Sequence, residues 1–547
     1  MPARVRAPQL SGDGGWIGTP SPLSLKALQG KVVLLHFWTY SCVNCLGVIE
    51  ELRRIERRFS EELVVVGVHS PRFPHEGKHQ SVEQAVGRHR IAHPVLDDPS
   101  LTTWKRYGIR AWPTLVLIDP KGYVVGALSG EGHGRELTKV IAELVARHEG
   151  KGTLATEPID VDPVTPDGGL LAFPGNVAVS ADGTRLAIAD TAHDQVLVCT
   201  TGGLVLEAHT GLARPQGVRF DGTAVMVCDT GANRVVRTDG VVLADGLSSP
   251  WDVVMEDDGS LVIAEAGRHR LARVRPGEQR VLVAAGTGEQ GMEDGPCTQA
   301  LLAQPSGVTR TPGGIVFVDA DASALRVLTK TGDVVTLVGQ GPSHWGAEDG
   351  APHEARLQHP LGVAASRDGQ FVYVADTFNS VLRVWDGEAL RTLAVEGLDE
   401  PGGLDVLTDG RLVVADTNHH RVLVVDPHSE QAEPLELDDS WLMSTTGPAL
   451  SARSGELLPV DVSMPLAEEE LDISTSEPVR VSIEARPAPL LAEGASQWSL
   501  PAAEGRVEPR AGDPGEGLLL VEVVATTRGV RGPAERVRRV HHILQVH

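Results

Sequence analysis

The feature that most constrains the fold of this chain is an internal repeat that extends from about Leu170 to Leu437. Each repeat begins with a proline, two residues of variable type and an apolar strand. The repeats start at Pro174, Pro215, Pro250, Pro305, Pro360 and Pro401, at intervals of 35 to 55 residues. A unit of this length cannot bury both faces of its own small sheet, so neighbouring units must pack against one another.

Every repeat contains a second apolar strand that ends on an acidic residue at a turn. These acids are Asp190, Asp229, Glu265, Asp319, Asp376 and Asp416. A carboxylate at a turn accepts backbone N–H bonds, so we interpret all six as turn architecture rather than as catalysts. Six units of three or four strands predict a six-bladed all-β propeller. The units resemble NHL repeats.

The third and fourth repeats are longer because each carries a glycine-rich insertion, Gly286–Gly295 and Gly339–Gly350. The first insertion matches a dinucleotide-type glycine spacing, but it lacks the strand followed by a helix that such a site needs. We therefore predict no nucleotide site and no cofactor. We expect these loops either to contact protein partners or to fill space between blades.

The N-terminal region has a different pattern, in which short apolar runs alternate with longer amphipathic segments. The runs predict buried strands at Val32–Phe37, Leu63–Val68 and Leu115–Ile118, and the segments predict helices at Val43–Phe59 and Arg135–His148. This alternation predicts an α/β domain.

A Cys-x-x-Cys motif, Cys42-Val-Asn-Cys45, follows the first predicted strand and begins the first predicted helix. Free backbone N–H groups and the macrodipole at a helix N-terminus favour a thiolate, so we expect Cys42 to be the nucleophile. Cys45 lies one helical turn further on and can close a disulfide with it. Far along the chain, Pro113 directly precedes a strand, a position where a cis peptide bond can lie.

From about Pro20 to Arg147 the chain resembles thioredoxin-like proteins of the TlpA and DipZ type. The resemblance lies in Phe37-Trp-Thr-Tyr-Ser-Cys-Val-Asn-Cys, Gly67-Val-His-Ser-Pro and Ala111-Trp-Pro-Thr. It implies that Cys42 attacks, Cys45 resolves and a cis-Pro113 faces both, with Trp38, Trp112 and Thr114 at the substrate site. The chain departs from thioredoxins at His36, where they carry a buried aspartate.

The alternative for the cysteine pair is a structural role or half of a zinc site, because a C-x-x-C turn also supplies two metal ligands. His75 and His79 have a suitable spacing in a predicted loop, and His69, His89 and His93 lie nearby. A solvated role is commoner for single loop histidines, so we predict no metal. Cys199 and Cys228 follow apolar strand residues, and we expect them to be buried and inert.

Charge and composition exclude several classes of partner. The chain has 49 Lys and Arg against 73 Asp and Glu, a net charge of −24, which disfavours nucleic acid. No apolar run approaches the length of a membrane span or a signal peptide, so we expect no membrane association. Five cysteines in 547 residues fit a reducing, cytoplasmic location.

Beyond the repeats, apolar segments at Val479–Ile483, Leu518–Val524 and Val540–Val546 predict a small C-terminal β-sandwich. Arginines in the cluster Arg531–Arg539 are expected on the solvent face of a strand, with a docking patch as the alternative. The predicted organisation is an extension at 1–19, a thioredoxin-like domain at 20–150, a linker at 151–169, a propeller at 170–440 and the all-β domain at 441–547.

This order of domains resembles the NHL repeat-containing protein 2 family, which implies a largely cytosolic protein. Two functional hypotheses follow. In the first, the chain is a thiol–disulfide oxidoreductase that acts on protein thiols or disulfides and uses the propeller to recruit them. In the second, it is a non-enzymatic scaffold that binds proteins through propeller loops, with a structural or redox-sensing thioredoxin-like domain.

Overall fold

The computed structural model describes residues 4–165, 169–438, 450–452, 457, 460–463, 479–486, 495–500, 504–507, 515–529 and 532–546. The chain forms two compact units, Met1–Leu197 with His209–Leu435 and Val198–Ala208 with Glu436–His547. Among the helices in the described ranges, none is long and apolar enough to cross a membrane.

The first part of the chain is an α/β domain. Its elements are β1 Gly15–Ile17, β2 Val32–Trp38, α1 Val43–Arg58, β3 Leu63–His69, α2 His79–Arg88, β4 Val95–Asp97, α3 Thr102–Tyr107, β5 Thr114–Ile118, β6 Val124–Ser129 and α4 Gly134–Glu149. The strands form one mixed sheet in the order β1-β4-β3-β2-β5-β6, in which β2 pairs parallel to β3 and antiparallel to β5.

Strand β2 is buried on both faces because successive side chains point to opposite sides of the sheet. Val32 and Leu34 share a core cluster with the apolar stripes of α1 and α4, whereas Val33, Leu35 and Phe37 belong to a cluster on the other face. This central strand is packed on both faces and ends just before the Cys-x-x-Cys motif.

The predicted strands and helices of this domain are confirmed to within two residues. Helix α2 went unpredicted, although Val82, Ala85 and Val86 stand at helical spacing and are fully buried. The expectation of a loop at His79 is therefore wrong, because His79 is the first residue of α2.

Six antiparallel sheets form the propeller, one from each repeat. Blade four has an additional outer strand, Gly295–Pro296. The strands of blade one are Pro174–Val179, Arg185–Asp190, Gln195–Thr200 and Val205–His209; of blade two, Val218–Asp221, Ala224–Asp229, Arg234–Arg237 and Val242–Ala244; of blade three, Pro250–Met255, Leu261–Glu265, Arg270–Val274 and Leu282–Ala285; of blade four, Pro305–Thr311, Gly314–Asp319, Ala324–Thr329 and Asp333–Val338; of blade five, Gly362–Ala365, Val372–Asp376, Val381–Trp385 and Leu390–Leu393; and of blade six, Pro401–Val406, Leu412–Asp416, Arg421–Val425 and Ala432–Pro434.

The ring closes between blades six and one through the same contacts that join blades in sequence. The Thr417 hydroxyl donates to the carbonyl of Pro174 at 2.8 Å. The Thr377 hydroxyl makes the same hydrogen bond to the carbonyl of Pro401, between blades five and six. The inner strands also come very close here, since a β-carbon at Gly402 would lie 2.5 Å from the carbonyl oxygen of Gly175. Glycine at this position allows the two backbones to meet.

The six acidic turn residues are all fully buried and have the structural role that the sequence predicted. Each accepts a hydrogen bond from the backbone N–H two residues before the proline of its own blade, from Ala172, Ala213, Ser248, Ala303, Gln358 and Asp399. Their second oxygen is also occupied: Arg326 binds Asp319 at 2.8 Å and Arg383 binds Asp376 at 2.9 Å. All six carboxylates are therefore satisfied within the fold.

The residue before each blade's proline has a left-handed backbone, with φ between 46° and 62°. These residues, which we call the pre-proline ring, are Phe173, Arg214, Ser249, Gln304, His359 and Glu400. Each donates its N–H to a side chain of the preceding blade: that of Phe173, for example, donates to Nδ1 of His420 at 3.0 Å, and that of Glu400 to Ser380 Oγ at 3.3 Å. These bonds hold the six strained positions on one face of the propeller.

Each of the two glycine-rich insertions packs against the blade that follows it in the chain. Asp294 of the first lies 3.0 Å from the buried guanidinium of Arg326 and accepts the N–H of Thr336 at 2.8 Å. Asp349 of the second binds the buried Arg383 at 2.7 Å in the same way. The insertions therefore fill space along blades four and five.

In the C-terminal region, the described strands form a five-stranded sheet and a two-stranded sheet. They are Leu450–Ala452, Val460–Ser463, Val479–Arg486, Ala495–Leu500, Glu504–Val507, Gly515–Gly529 and Gly532–Val546. The three predicted segments lie inside longer strands. The side chains of the cluster Arg531–Arg539 lie outside the described residues.

Candidate functional site

The Cys-x-x-Cys motif lies where β2 ends and α1 begins. Cys42 is the N-cap of α1, without a side-chain cap bond, and is 8% exposed; Cys45 is fully buried. Burial, and then the hydrogen bond with the neighbouring Cys42 thiol, raise the pKa of Cys45 well above its usual value. Cys42 is thus the more exposed of the two thiols, and burial favours the protonated form of Cys45.

The loop that contains Pro113 lies against this motif. The Trp112–Pro113 peptide bond is cis. Trp112 packs against the core cluster that contains Cys42 and Cys45, and its indole N–H donates to the Ser70 carbonyl at 2.9 Å. Within the part of the chain that the structure describes, no residue bonds to the backbone amide or carbonyl of Trp112.

Two other predicted substrate residues are buried. Trp38 is fully buried, edge-on to His69 at a ring-centroid distance of 5.3 Å. Thr114 is 4% exposed and its hydroxyl donates to the carbonyl of Ala111 at 2.8 Å. Neither side chain reaches the surface, and both lie beneath the motif and the cis-proline loop.

His36 occupies the position of the buried aspartate of thioredoxins. Its ring is fully buried and stacks on Trp38 with 6.2 Å between ring centroids. Burial, and then the nearby His93, lower the pKa of His36 well below its usual value. A neutral imidazole therefore stands where thioredoxins place an acid.

Glu76, which the sequence analysis did not single out, anchors the residues just before the motif. Its Oε1 accepts the backbone N–H of Ser41 at 2.9 Å and the hydroxyl of Thr39. Its Oε2 accepts the backbone N–H groups of Arg72 and Phe73 at 2.8 and 2.9 Å. This fully buried carboxylate joins the approach to Cys42 to the turn after β3. An isolated Glu in an irregular stretch gives no sequence signal for this role.

The thioredoxin-like domain rests on the pre-proline ring of the propeller. Five of the six ring residues contact it, in pairs that bring together Phe173 and Arg88, Arg214 and Glu50, Gln304 and Val43, His359 and Phe73, and Glu400 and Arg88. Outside the ring, Arg90 pairs with Asp194 at 2.6 Å and Arg72 with Asp321 at 2.5 Å. The cysteine motif therefore faces the mouth of the propeller channel.

Glu400 is the most heavily engaged residue of this interface. Its carboxylate binds His75 Nε2 at 3.0 Å and the guanidinium of Arg88 at 2.5 Å. Burial by itself would raise the pKa of Glu400, but the charge of Arg88 and the hydrogen bond from His75 outweigh it and lower this pKa to about 2. Glu400 is therefore a buried anion whose charge is compensated from the other domain.

A cavity of about 50 Å³ lies between the two domains. Ser41 and Val43 line it from the thioredoxin-like side, and Gln216, Ser306 and Gly402 line it from the propeller. Within the channel, Arg219 crosses between blades: its guanidinium lies 3.4 Å from Asp252 and 3.5 Å from Asp405. Such a volume holds water but not a substrate.

The histidines of the zinc alternative are engaged elsewhere. His75 binds Glu400, and His79 Nδ1 lies 2.9 Å from Asp97 Oδ2. Across the described ranges, no group of three or more His, Cys, Asp and Glu side chains could hold a metal ion. Of the remaining thiols, Cys199 and Cys228 are fully buried, as predicted, and burial raises the pKa of Cys199 to about 12.

Comparisons with known proteins agree with both domains. A thioredoxin-like family model matches residues 30–124, and an NHL repeat model matches residues 398–425. NHL repeat-containing protein 2 of Gallus gallus is 34% identical over 511 residues, which cover 77% of this chain and 70% of that protein. Protein DipZ of Mycobacterium tuberculosis (strain CDC 1551 / Oshkosh) is 36% identical over 142 residues, 25% of this chain and 20% of that protein.

The thioredoxin-like domain is also similar to thiol-disulfide oxidoreductase ResA of Halalkalibacterium halodurans. The identity is 27% over 126 residues, which cover 22% of this chain and 67% of that protein. The domain is thus related to thiol–disulfide oxidoreductases, and it is joined to a propeller.

Proposed function

The chain belongs to the NHL repeat-containing protein 2 family, and from this premise we propose that it is a thiol–disulfide oxidoreductase in which Cys42 attacks and Cys45 resolves. The observation that carries the proposal is the meeting of three features at one place. An N-cap thiol, a buried partner thiol and the unoccupied backbone of Trp112 in the cis-proline loop lie together. These are the groups that disulfide exchange with a bound peptide needs.

The exchange proceeds in two steps that balance. The Cys42 thiolate attacks one sulfur of a substrate disulfide; the substrate S–S bond breaks, a mixed disulfide forms and the released thiolate takes up a proton. Cys45 then loses its proton and attacks the sulfur of Cys42, which releases the second substrate thiol and forms the Cys42–Cys45 disulfide. The substrate gains two electrons that the motif loses. A strong reductant must restore the pair, which suits a reducing compartment such as the cytoplasm.

The high pKa of Cys45 supports this division of roles. A deeply buried thiol is a poor nucleophile until a mixed disulfide forms beside it. Since His36 is neutral, Cys45 loses its proton without help from a buried carboxylate at that position.

A trapping experiment tests the proposal. In the Cys45→Ser variant the mixed disulfide cannot be resolved, so covalent complexes that dithiothreitol releases should accumulate in cell extract. The Cys42→Ser, Cys45→Ser double variant is the matched control. Equal recovery of complexes from both variants would contradict the proposed oxidoreductase activity. Trp112→Ala should reduce the yield, because that residue shapes the peptide-binding loop.

A second candidate function, partner binding by the propeller, is favoured by a groove of about 720 Å³ across blades three to five. The groove is lined by hairpin turns at the strand ends away from the acidic turns, so it lies on the face opposite the thioredoxin-like domain. Arg310, Lys330 and Arg367 line it, along with Asp257 and Asp258. A surface of mixed charge beside open volume suits a polar protein segment.

Alanine substitutions separate this candidate from the first. The triple variant Arg310→Ala, Lys330→Ala, Arg367→Ala should lose co-purifying partners and still form the mixed disulfides of the Cys45→Ser background if the groove serves a separate scaffold role. Arg275→Ala with Arg280→Ala changes exposed charges that do not line the groove and serves as the control. Unchanged partner recovery from the triple variant would exclude the groove.

A further inference from the structure

A propeller side chain reaches the first turn of the helix that carries the cysteines. The backbone N–H of Val43, the first residue of α1, donates to Oε1 of Gln304 at 3.0 Å. The first amides of a helix have no carbonyl one turn earlier in the helix to bond to, and the amide of Val43 directly follows Cys42, whereas that of Cys45 bonds to the Cys42 carbonyl at 2.9 Å. Gln304 is 261 residues away in the chain and accepts a hydrogen bond from one of these amides.

The carboxamide of Gln304 is held in one orientation. Its backbone has φ of +62° in the pre-proline ring, and its N–H donates to Nδ1 of His269 at 3.2 Å. Near the other end of the side chain is the buried carboxylate of Asp321, which Arg72 and Gln290 bind. Because a backbone N–H only donates, the carbonyl end of Gln304 is the end that faces Val43.

We propose that Gln304 is a positioning residue by which the propeller restrains the reactivity of Cys42. The carbonyl of Gln304 engages a helix N-terminal amide that would otherwise help to stabilise the Cys42 thiolate, and it brings the negative end of an amide dipole to the same place. The propeller thereby sets how nucleophilic the thiol is while the two domains are docked. This inference rests on the proposed function, since it concerns the attacking thiol of that reaction.

The sign of the effect follows from electrostatics. Free N–H groups at a helix N-terminus favour an adjacent anion, and an acceptor placed on one of them cancels part of that field. Removal of the acceptor should therefore favour the thiolate, so that alkylation of Cys42 becomes faster near neutral pH and its pH midpoint falls. Loss of docking contacts would also speed alkylation by exposing Cys42, so a second glutamine of the interface is needed as a control for that effect.

The test compares two glutamines of the same interface. Gln304→Met removes the acceptor with little change in volume. Gln84→Met makes the identical change on α2, where Gln84 accepts from Asn418 Nδ2 at 2.9 Å and donates to Asp399 Oδ2 at 3.4 Å. The full-length proteins are reduced, and the rate of Cys42 alkylation by iodoacetamide is followed from pH 5 to 10 by peptide mass spectrometry. Circular dichroism and thermal unfolding verify that each variant is folded.

We expect Gln304→Met to alkylate about two- to fivefold faster than the parent at pH 7, the size of a single helix-terminus interaction, with a lower pH midpoint. Gln84→Met should match the parent. If Gln304→Met does not fold, Gln304→Asn gives the same test, because its shorter side chain keeps an amide that cannot reach Val43.

An unchanged Cys42 rate in the Gln304 variants, or an equal acceleration in Gln84→Met, would overturn the inference. Alkylation needs no substrate, so failure to trap mixed disulfides would count against the oxidoreductase function and leave this result standing. The other charged and titratable groups around the motif stay unchanged in all variants: Tyr40, Cys45, Arg72, His75, Glu76, Arg88, Asp321, His359 and Glu400.

Discussion

Arg88 of the thioredoxin-like domain and Glu400 of the propeller form an ion pair across the domain interface, with 2.5 Å between Nη2 and Oε2. Glu400 is fully buried and the side chain of Arg88 is 11% exposed. The pair also lies beside the Tyr40 ring, which Arg88 faces at 5.9 Å from the ring centroid. The charge of each residue is therefore compensated by a residue of the other domain, and the docking of the two domains depends on this pair.

Glu400→Gln should destabilise the docked arrangement. The variant keeps the shape of the side chain but leaves the Arg88 guanidinium without its counter-charge in a buried place, which costs about 3 kcal/mol. Urea unfolding, followed by circular dichroism, should give a lower midpoint. Glu396→Gln changes an exposed residue of the same loop and should leave the midpoint in place. A shared midpoint for both variants would mean that the pair contributes nothing to docking.

Acid should weaken the same interface over a defined range. The folded pKa of Glu400, about 2, lies below its ordinary value of 4.5, so the folded protein binds this proton less readily than the unfolded chain. The resulting stabilisation is complete above pH 4.5 and is lost as pH falls towards 2. The free energy of unfolding of the parent should thus fall more steeply than that of Glu400→Gln between these two values. Parallel pH profiles would contradict this assignment.

Gly402→Ala should weaken, without abolishing, the contact between blades six and one that closes the propeller ring. The new β-carbon would lie 2.5 Å from the carbonyl oxygen of Gly175, a backbone atom that cannot rotate away. We expect a loss of about 1–3 kcal/mol, seen as a lower thermal midpoint. At Gly313, in a hairpin turn, the nearest atom is Thr311 Oγ1 at 3.6 Å, so Gly313→Ala should be neutral. Equal midpoints would show that the blades can shift apart without cost.

The acidic turns should differ in cost between blades. Asp376→Asn removes one of the two carboxylates that bind the fully buried Arg383, the other being Asp349, and should cost about 2–3 kcal/mol, the size of a hydrogen bond between charged groups. Asp416→Asn makes the equivalent change in blade six, but its partner Arg421 is 39% exposed and regains water. The second variant should therefore lose about 1–2 kcal/mol, close to one hydrogen bond. Urea denaturation of both variants decides the order, and the reverse order would exclude burial of the arginine as the cause.

Much of the fold could be predicted from the sequence because it depends on neighbours along the chain. The proline starts and acidic turns repeat every blade, so six similar units were visible before any contact was known. The Cys-x-x-Cys motif that contains Cys42 was recognisable in the same way, because it follows a predicted buried strand. Helix α2 escaped prediction because its stripe of Val82, Ala85 and Val86 covers only ten residues, between irregular segments.

The role of the pre-proline ring as a docking surface could not be predicted from the sequence. Its six positions are equivalent in the backbone, yet they carry Phe, Arg, Ser, Gln, His and Glu, so no shared residue type marks them as a docking surface. Their left-handed backbone follows from the turn, whereas their side chains suit particular sites on another domain. Substitution of one by another would leave the repeat pattern intact and change the interface.

By itself, the sequence determined the two domain types, the number of blades and the place of the Cys-x-x-Cys motif, because periodicity, turn chemistry and a motif at a helix start act over short distances. Only the tertiary structure decided that Gln304 meets Val43 and that Glu400 meets Arg88. Those contacts join residues 261 and 312 positions apart, and they exist because folding brings two separately patterned surfaces together.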